Sequence, residues 1–427
     1  MFTKKTIEDI DCNGKNVLVR VDYNVPLVNH RVVDTYRVRQ SLPTIKYLLD
    51  HNAKIILISH LGRPNGQPDA RFSLEPVVNV LSKMIGTKVI FAEDCIGEVV
   101  RKNVDKLKPG EILLCENLRF HPDEEKNSIV FAKELAKPAD LFVQDGFGVV
   151  HRAHASTSAI TQCLPSVAGF LVKREVDAIT EVMDNSKRPL MAIIGGAKIG
   201  DKLDLIKRFI SLSDVVALGG AMANTFALAQ GHKVGNSLVD REELPLAKDI
   251  IRLAEKEAAK RPFVFTIPYD VVVAKDASSK SKTRIVDWGT HVVADIEHYP
   301  LRVPDSSSVV GAQEMILDIG PFSGSFIAGS MQLVNTVVWN GTMGVTEVEA
   351  LLGPIGPFAH GTELIIDALL GQFGHRPYSL IGGGDTVGYI ENRGLVEQFD
   401  HVSTGGGASL ELMAGRKLPG VEALQDK

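Results

Sequence analysis

Residues 190–196 have the sequence LMAIIGG, and residues 215–220 have the sequence VVALGG. Each stretch is a short apolar run that ends in two glycines. Short runs rich in β-branched residues alternate with longer stretches of helical periodicity along most of the chain. This alternation is typical of a parallel sheet with helices on both faces. The sequence therefore predicts an α/β fold.

The residues that follow the predicted strands differ between the two halves of the chain. In the first half they are polar or charged, and they include Asp22, Asn24, His60, Arg63, Arg119 and Arg152. In open parallel sheets, ligands bind outside the carboxyl ends of the strands. We therefore expect several arginines to meet at one edge of the first sheet.

In the second half, the predicted strands end in glycine clusters. These clusters are Gly195 and Gly196, Gly219 and Gly220, Gly382 to Gly384, and Gly405 to Gly407. Glycine lets backbone N–H groups approach a phosphate closely, and the positive end of the following helix points to the same place. The pattern indicates a nucleotide site, although any single cluster could simply form a tight turn between strand and helix.

The length of 427 residues favours two or three domains. Residues 173–184 have apolar side chains at helical spacing, and Pro189 follows soon after. We predict an N-terminal domain over residues 1–172, an interdomain helix over 173–185 and a C-terminal domain over 186–405.

Composition and charge exclude several classes of protein. The formal net charge is −5, with no long run of like charges, so nothing indicates a nucleic-acid or membrane partner. The four cysteines are too far apart for a CxxC pattern and are interpreted as buried thiols in a reducing compartment. We find no secretory signal, and the uncharged stretch at residues 215–230 is shorter than a membrane helix requires. We expect a cytoplasmic protein.

Two sets of basic residues are predicted at helix starts. Lys198 and Lys202 are four residues apart and are predicted on one face of an opening helical turn. Arg37 and Arg39 are predicted in the opening turn of another helix, which apolar residues at helical spacing extend from Val38 to Leu49. Cations there oppose the helix dipole, so an anionic ligand would explain them. The alternative for each is a solvated surface side chain.

Asp385 follows Gly384 and precedes Thr386, so it could supply an oxygen ligand to a phosphate-bound Mg²⁺ or could be a helix N-cap. The histidines His60, His151 and His154 have no acidic partner at ligand spacing, which favours polar contacts or core positions over a metal site. The sequence contains neither a Walker A loop nor a GxGxxG fingerprint.

Eight segments, in order along the chain, resemble the phosphoglycerate kinase family from end to end. They are VDYNVP at 21–26, HLGRP at 60–64, ENLRF at 116–120, DGFGVVHRAHAST at 145–157, GGAKIGDK at 195–202, WNGTMGVTE at 339–347, GGGDT at 382–386 and STGGGASLE at 403–411. The resemblance implies two doubly wound domains joined by a hinge helix, with a tail over 406–427 that returns to the N-terminal domain. It also implies a monomer that transfers a phosphoryl group reversibly between MgATP and the carboxylate of 3-phosphoglycerate, giving ADP and 1,3-bisphosphoglycerate, in glycolysis and gluconeogenesis.

The resemblance also implies a role for individual residues. Those that would hold phosphoglycerate are Asp22, Asn24, Arg37, His60, Arg63, Arg119 and Arg152. Those that would hold the nucleotide are Lys202, Gly219, Gly220, Asn340, Glu347, Gly382, Gly383, Gly384, Asp385 and Thr386, with Asp385 also holding Mg²⁺. Lys198, Arg37 and the N–H groups around Gly406 would neutralise the transferring phosphoryl group. A carboxylate nucleophile is already ionised at neutral pH and needs no general base, and no catalytic base motif is found.

The chain departs from the family pattern mainly in the nucleotide half. Thr342 and Thr346 stand where the family usually has proline and phenylalanine, and residues 351–361 form a longer stretch than usual. Gly146 replaces a common alanine. These departures concern nucleotide affinity and purine selectivity more than the reaction.

Two other functions are compatible with part of this pattern. A dinucleotide oxidoreductase also fits two doubly wound domains, but the missing GxGxxG and the many arginines count against it. A catalytically silent binding or scaffold protein could keep the same fold. The presence of Lys198, Arg37 and Asp385 counts against that second alternative.

Overall fold

The computed structural model describes residues 2–288 and 308–427. The chain divides into two compact units. Unit 1 consists of Met1–Thr180 and Thr404–Lys427, and unit 2 consists of Glu181–Ser403. Each unit contains a six-stranded parallel sheet flanked by helices, so the predicted α/β class with two parallel sheets is confirmed.

The secondary-structure elements are numbered in chain order. The strands are β1 Asn16–Arg20, β2 Leu27–Val28, β3 Arg31–Val32, β4 Lys54–Ile58, β5 Val89–Ala92, β6 Ile112–Cys115, β7 Leu141–Gln144, β8 Ser166–Ala168, β9 Leu190–Ile194, β10 Val215–Leu218, β11 Val264–Thr266, β12 Asp270–Ala274, β13 Arg284–Asp287, β14 Met315–Ile319, β15 Thr336–Asn340, β16 Tyr378–Gly382 and β17 His401–Val402. The helices are α1 Tyr36–Gln40, α2 Leu42–Asp50, α3 Glu75–Ile85, α4 Gly97–Lys106, α5 Ile129–Ala136, α6 Phe170–Asn185, α7 Leu203–Leu212, α8 Gly220–Ala229, α9 Leu244–Ala258, α10 Pro321–Met331, α11 His360–Leu369, α12 Gly384–Asn392, α13 Gly407–Met413 and α14 Pro419–Glu422.

The large sheet of unit 1 has the strand order β5-β6-β4-β1-β7-β8. Successive side chains of a strand point to opposite faces of a sheet. Val17 and Val19 of β1 accordingly pack in one hydrophobic cluster, and Leu18 packs in another. Because both faces are covered, β1 is an almost continuous apolar run, and this is the signal by which it was predicted.

The large sheet of unit 2 has the strand order β11-β10-β9-β15-β16-β17, and all its pairs are parallel. A separate antiparallel sheet has the order β13-β12-β14. The predicted strand at 215–218 coincides with β10, and the one at 191–194 begins one residue later than β9. The glycine clusters therefore follow the carboxyl ends of these strands, as predicted.

The helix predicted through Arg37 and the apolar residues up to Leu49 is two helices in the structure. α1 ends at Gln40 and α2 begins at Leu42. The hydroxyl of Ser41, between them, donates to the carbonyl oxygen of Val38 at 2.8 Å. Pro43 has no N–H group, so the helical hydrogen bonds cannot continue through it. Arg37 consequently lies in a helix of five residues.

The segments near the two chain ends meet within unit 1. The backbone N–H of Lys5 donates to the carbonyl oxygen of Gln425 at 2.8 Å, within unit 1.

All four cysteines are free thiols, and three of them are buried, whereas Cys163 is only half-buried. None of the helices in the described part of the chain has the length and apolar character needed to cross a membrane.

Candidate active site

Loops at the carboxyl edge of the unit 1 sheet bring the predicted polar and charged residues together. The amide oxygen of Asn24, after β1, accepts the backbone N–H of Gly62 at 2.9 Å. Arg119, after β6, donates to the carbonyl oxygen of Gly62 at 2.8 Å. These bonds tie the loops after β1, β4 and β6 to one another. We call Arg37, His60, Arg63, Arg119 and Arg152 the basic edge.

Arg37 of the basic edge forms an ion pair with Asp22. Asp22 is buried, whereas the Arg37 side chain is 30% exposed. A second oxygen of Asp22 accepts the backbone N–H of Asn24 at 3.3 Å. The buried carboxylate therefore holds the arginine in one orientation while leaving part of the guanidinium accessible to a ligand.

The other arginines of the basic edge differ in exposure. Arg63 and Arg152 are exposed. Arg119 is buried and pairs with Glu125 at 3.1 Å. Burial lowers the pKa of Arg119, yet a guanidinium remains protonated in proteins. The edge thus combines two arginines held by the protein, Arg37 and Arg119, with two that are open to solvent, Arg63 and Arg152.

The histidines near this edge are uncharged bases. Burial, followed by the charge of Arg20, holds the pKa of His60 well below its usual value. Burial, followed by the charge of Arg119, lowers the pKa of His154 to about 4. At neutral pH these rings can accept or donate hydrogen bonds without adding positive charge.

A buried polar network beneath His60, formed by Arg20, Ser156 and Glu124, was not predicted from the sequence. Arg20 is 1% exposed and Glu124 is fully buried. One signal was available, because Arg20 is the single charged residue within the apolar run at residues 17–21. Glu124 gave no such signal, since the sequence Asp123-Glu124-Glu125 is what a solvated loop would show.

Another side-chain cluster of unit 1 was also missed. Asp94, Cys95 and His121 place one possible metal-ligand atom each within 4.8 Å of one another. The Asp94 carboxylate already accepts His121 Nε2 at 2.7 Å and the backbone N–H of Cys95 at 2.6 Å. These contacts account for the cluster as a hydrogen-bonded loop anchor.

Unit 2 contains a cavity of about 260 Å³ at the carboxyl ends of β9, β10 and β15, which we call the glycine cavity. Gly196, Gly220, Glu347 and Asp385 are among the residues that line it. Asp318, the fourth residue of β14, also lines the cavity. Burial raises the pKa of its carboxyl group to about 8. Three sequence-predicted nucleotide residues, Gly220, Glu347 and Asp385, therefore share one cavity.

Two of the glycines are required by packing between the loops themselves. A Cβ atom on Gly195 would lie 2.1 Å from the carbonyl oxygen of Thr342. Gly220 has φ +65°, and its Cβ would lie 2.5 Å from the backbone nitrogen of Gly196. For these positions the tight-turn interpretation is sufficient. Gly384, by contrast, has nothing within 4 Å of its Cβ position, so its backbone is open to a ligand.

Lys202 is held beside this cavity by three oxygen acceptors. Its Nζ donates to the carbonyl oxygen of Gly195 at 2.6 Å, to that of Asn340 at 3.1 Å and to the Asn340 side-chain oxygen at 2.7 Å. Burial lowers the pKa of Lys202 to about 8, against the opposing charges of Asp385 and Asp201. Within the described part of the chain, Nδ2 of Asn340 is buried without a hydrogen-bond partner. A ligand oxygen could satisfy such a donor.

The predicted common helix face of Lys198 and Lys202 is wrong. α7 begins only at Leu203, after a short 3₁₀ turn at Gly200–Lys202. The backbone N–H groups of Ile199 and Gly200 each donate to the Glu243 carboxylate at 2.8 Å, which keeps them out of helical hydrogen bonds. Lys198 is consequently exposed in the loop, whereas Lys202 turns inward.

The segment Gly382 to Thr386 leads from the last residue of β16 into the first turn of α12. Gly383, with φ +93°, is the N-cap residue, so the alternative interpretation of Asp385 as the N-cap is wrong. Asp385 is exposed in the first helical turn. The hydroxyl of Thr386 is buried and accepts the backbone N–H of Gly341 at 2.8 Å, which ties the loop after β15 to α12.

Gly406 lies in unit 1, as the N-cap of α13 with φ +47° and with open space at its Cβ position. A Cβ on the next residue, Gly407, would lie 3.1 Å from His151 Nε2. Nε of Arg152 donates to the same ring nitrogen at 3.1 Å. The backbone around Gly406 is therefore close to the basic edge.

Most of the residues that depart from the family pattern lie in loops of the structure. The hydroxyl of Thr342 donates to the carbonyl oxygen of Gly344 at 3.1 Å, within the loop after β15. In the longer stretch, Leu352 is 91% exposed. At Gly146, a Cβ would lie 3.2 Å from both a Val149 methyl group and the carbonyl carbon of Val21, so alanine would be tight there.

Comparisons with known proteins agree with this arrangement. Residues 7–416 match the family model described as phosphoglycerate kinase. The chain is 44% identical over 426 residues to the phosphoglycerate kinase of Moorella thermoacetica and 43% identical over 428 residues to that of Chloroflexus aggregans, with both chains fully covered in each case. Among solved structures, phosphoglycerate kinase from Coxiella burnetii matches with a TM-score of 0.79 at 33% identity, covering 98% of each chain. The enzyme from Pyrococcus horikoshii matches with a TM-score of 0.80 at 29% identity, covering 99% of this chain and 98% of the other. The chain belongs to the phosphoglycerate kinase family.

Proposed function

We propose that the chain catalyses reversible phosphoryl transfer between MgATP and the carboxylate of 3-phosphoglycerate, giving ADP and 1,3-bisphosphoglycerate in glycolysis. Membership of the family supports this reaction. The observation that carries it is the pair of sites, the basic edge in unit 1 and the glycine cavity with Lys202 and Asp385 in unit 2. The first suits a small anion and the second suits a nucleotide.

We assign phosphoglycerate to the basic edge. Arg63 and Arg152 are exposed cations, and the Asn24 side chain accepts the backbone N–H of Gly62, which precedes Arg63 in the chain. Asp22 acts by holding Arg37. The phosphate and the carboxylate of this substrate present oxygen acceptors, which matches this excess of donors.

We assign the nucleotide to the glycine cavity. The open backbone at Gly384, the start of α12 and Nδ2 of Asn340 offer donors for phosphate oxygens. Asp385 fits the requirement of Mg²⁺, because it is an exposed carboxylate on the cavity wall, and Mg²⁺ is usually bound by one or two carboxylates together with substrate phosphates. When bound there, Mg²⁺ would supply positive charge at the phosphates.

The protein groups then have to align the reactants and compensate charge. The carboxylate of phosphoglycerate needs no base to become a nucleophile. We assign Lys198, Arg37 and the N–H groups around Gly406 to the transferring phosphoryl group, where preorganised positive charge lowers the barrier.

A coupled assay tests the proposed function directly. With ATP, Mg²⁺ and 3-phosphoglycerate, we expect turnover that depends on all three. ADP formation that does not require 3-phosphoglycerate would indicate an ATPase instead. Complete absence of ADP formation from folded protein would overturn the proposal.

We expect Arg63→Ala to raise KM for 3-phosphoglycerate roughly tenfold with little change in kcat. Arg63 is assigned to the end of the substrate that does not react, and a charge-assisted contact there stabilises the ground state and the transition state alike. Arg63 is preferable to Arg119 for this test, because Arg119 also holds Gly62 and Glu125. Arg101→Ala, at an exposed arginine of α4, is the matched control. A change confined to the KM for ATP would show that Arg63 is wrongly assigned.

Nucleotide binding should take up protons near pH 8, because Lys202 has a pKa of about 8 in the free protein. Bound phosphate favours the protonated amine and raises its pKa. Nucleotide affinity should therefore fall as the pH rises above this value, by at most roughly tenfold per pH unit. Calorimetry in two buffers with different ionisation heats measures the uptake, and Lys202→Arg, which stays protonated, should abolish it. Proton release would contradict the assignment.

We also propose that α6, which contains residues of both units, is a hinge. In-line transfer requires the reacting oxygen and phosphorus to be about 3 to 3.5 Å apart. We expect solution scattering to give a smaller radius of gyration with nucleotide and phosphoglycerate together than with either alone. If the free protein scatters like the ternary complex, the hinge proposal fails.

We further propose that the enzyme is cytoplasmic, in keeping with the four free thiols, and that it is monomeric.

A further inference from the structure

Arg20 is a buried arginine whose donor groups are occupied by protein acceptors. It is the last residue of β1, and it is 1% exposed. Its Nε donates to the Ser156 hydroxyl at 2.9 Å, and its Nη1 donates to the carbonyl oxygen of Val21. Its Nη2 lies 3.1 Å from Nδ1 of His60. These contacts leave Arg20 engaged inside unit 1.

Glu124 supplies the negative charge that this buried cation requires. Its carboxylate, which is fully buried, accepts the Ser156 hydroxyl at 2.6 Å and the Ser156 backbone N–H at 3.0 Å. The Ser156 hydroxyl has one proton, which it gives to Glu124, so it can only accept from Arg20. A relay from Arg20 through Ser156 to Glu124 thus fixes the guanidinium in place.

The contact with Arg20 determines which nitrogen of His60 carries the proton. A guanidinium only donates hydrogen bonds, so Nδ1 of His60 must accept, and the proton of the neutral ring must be on Nε2. A second proton on Nδ1 would face an N–H group of Arg20. His60 is 4% exposed, and the charged and titratable groups that face it are Arg20, Arg119, Arg37 and His154. Burial, followed by the charges of the three arginines, keeps the pKa of His60 well below the usual value.

We propose that Arg20 is a positioning residue that holds His60 as the neutral Nε2–H tautomer, so that His60 meets phosphoglycerate as a hydrogen-bond donor only. The identity of the substrate rests on the proposed function, whereas the tautomer is a property of the free protein. The opposite tautomer would present a lone pair at Nε2 to the oxygens of an anionic ligand and would repel them. Arg20 therefore acts through His60 and does not contact substrate.

The tautomer is measured on the ligand-free wild-type protein with ¹⁵N-labelled histidine. At pH 7 we expect the His60 signals of a protonated Nε2 and an unprotonated Nδ1, identified by their loss in His60→Gln. An Nδ1–H tautomer or an imidazolium at this pH would overturn the proposal. An enzyme that is active but has the wrong tautomer would refute this inference alone, whereas a correct tautomer without turnover would refute only the proposed function.

Two substitutions of His60 test the consequence for substrate binding. Glutamine places an N–H donor near the position of Nε2, whereas asparagine places its amide near Nδ1, where it can satisfy Arg20 but cannot reach the ligand. We expect KM for 3-phosphoglycerate to be at least about tenfold lower in His60→Gln than in His60→Asn, with equal KM for ATP. Equal KM values for 3-phosphoglycerate would contradict a donor role of Nε2.

Arg20→Met tests whether Arg20 sets the tautomer. We expect the His60 signals to show a mixture of tautomers and KM for 3-phosphoglycerate to rise, with KM for ATP unchanged. If the folded variant keeps the single Nε2–H form, Arg20 is not the cause and the proposal is wrong. Should this variant fail to fold, the wild-type spectrum and the comparison of the two His60 variants still decide whether His60 is the Nε2–H donor that the proposal requires.

Discussion

Lys198→Ala should lower kcat by roughly 10² or more, with a much smaller change in either KM, because its charge is needed most when the phosphoryl group is between donor and acceptor. The structure separates the two lysines of this segment. Lys202 is held by Gly195 and Asn340, whereas Lys198 is exposed in the loop before α7. An exposed cation in this loop, whose neighbours Gly196 and Ala197 line the glycine cavity, can reach a ligand without breaking protein contacts.

The measurement is a full set of kcat and KM values for both substrates. Lys207→Ala is the matched control, because Lys207 is an exposed lysine on α7 and is not among the cavity residues. A loss confined to the transition state lowers kcat and kcat/KM by the same factor. If Lys198→Ala instead raises KM for ATP while kcat stays unchanged, Lys198 is a ground-state binding residue and its assignment to the transferring group is wrong.

Asp385→Asn should raise the Mg²⁺ concentration needed for half-maximal rate by at least roughly tenfold and should lower turnover about 10- to 100-fold, because the amide keeps the shape but loses the charge that binds the cation. Asp385 is exposed on the cavity wall in the first turn of α12. A negative charge at this end of a helix also contributes roughly 0.3–1 kcal/mol to stability, so only a small fall in Tm is expected.

Asp201→Asn separates a metal ligand from a general charge effect. Asp201 is an exposed carboxylate whose charge also acts on Lys202, and it is not among the residues lining the cavity. We expect its Mg²⁺ titration to match that of the wild type. Equal shifts in both variants, or an unchanged titration in Asp385→Asn, would rule out Asp385 as the ligand.

Much of the fold could be predicted because its signals are local. β10 and β9 are apolar runs whose residues are buried on both faces, and the glycines that follow them are adjacent in sequence. A strand at 215–218 and a turn at Gly219 require no knowledge of any distant residue. The roles of individual residues were implied by the resemblance to the family. Periodicity could not distinguish Arg63 from a solvated arginine.

The sequence by itself determined the α/β class, the strand endings and the contrast between a basic edge and a glycine-rich one. Only the tertiary structure decided that Lys198 and Lys202 point to different environments, because Glu243 removes Ile199 and Gly200 from the helix. It alone also decided that Glu124 is buried opposite Arg20 while its neighbour Glu125 is exposed. Local periodicity reports which face of an element is apolar. The position and protonation of a polar side chain depend instead on partners tens or hundreds of residues away, which no local pattern encodes.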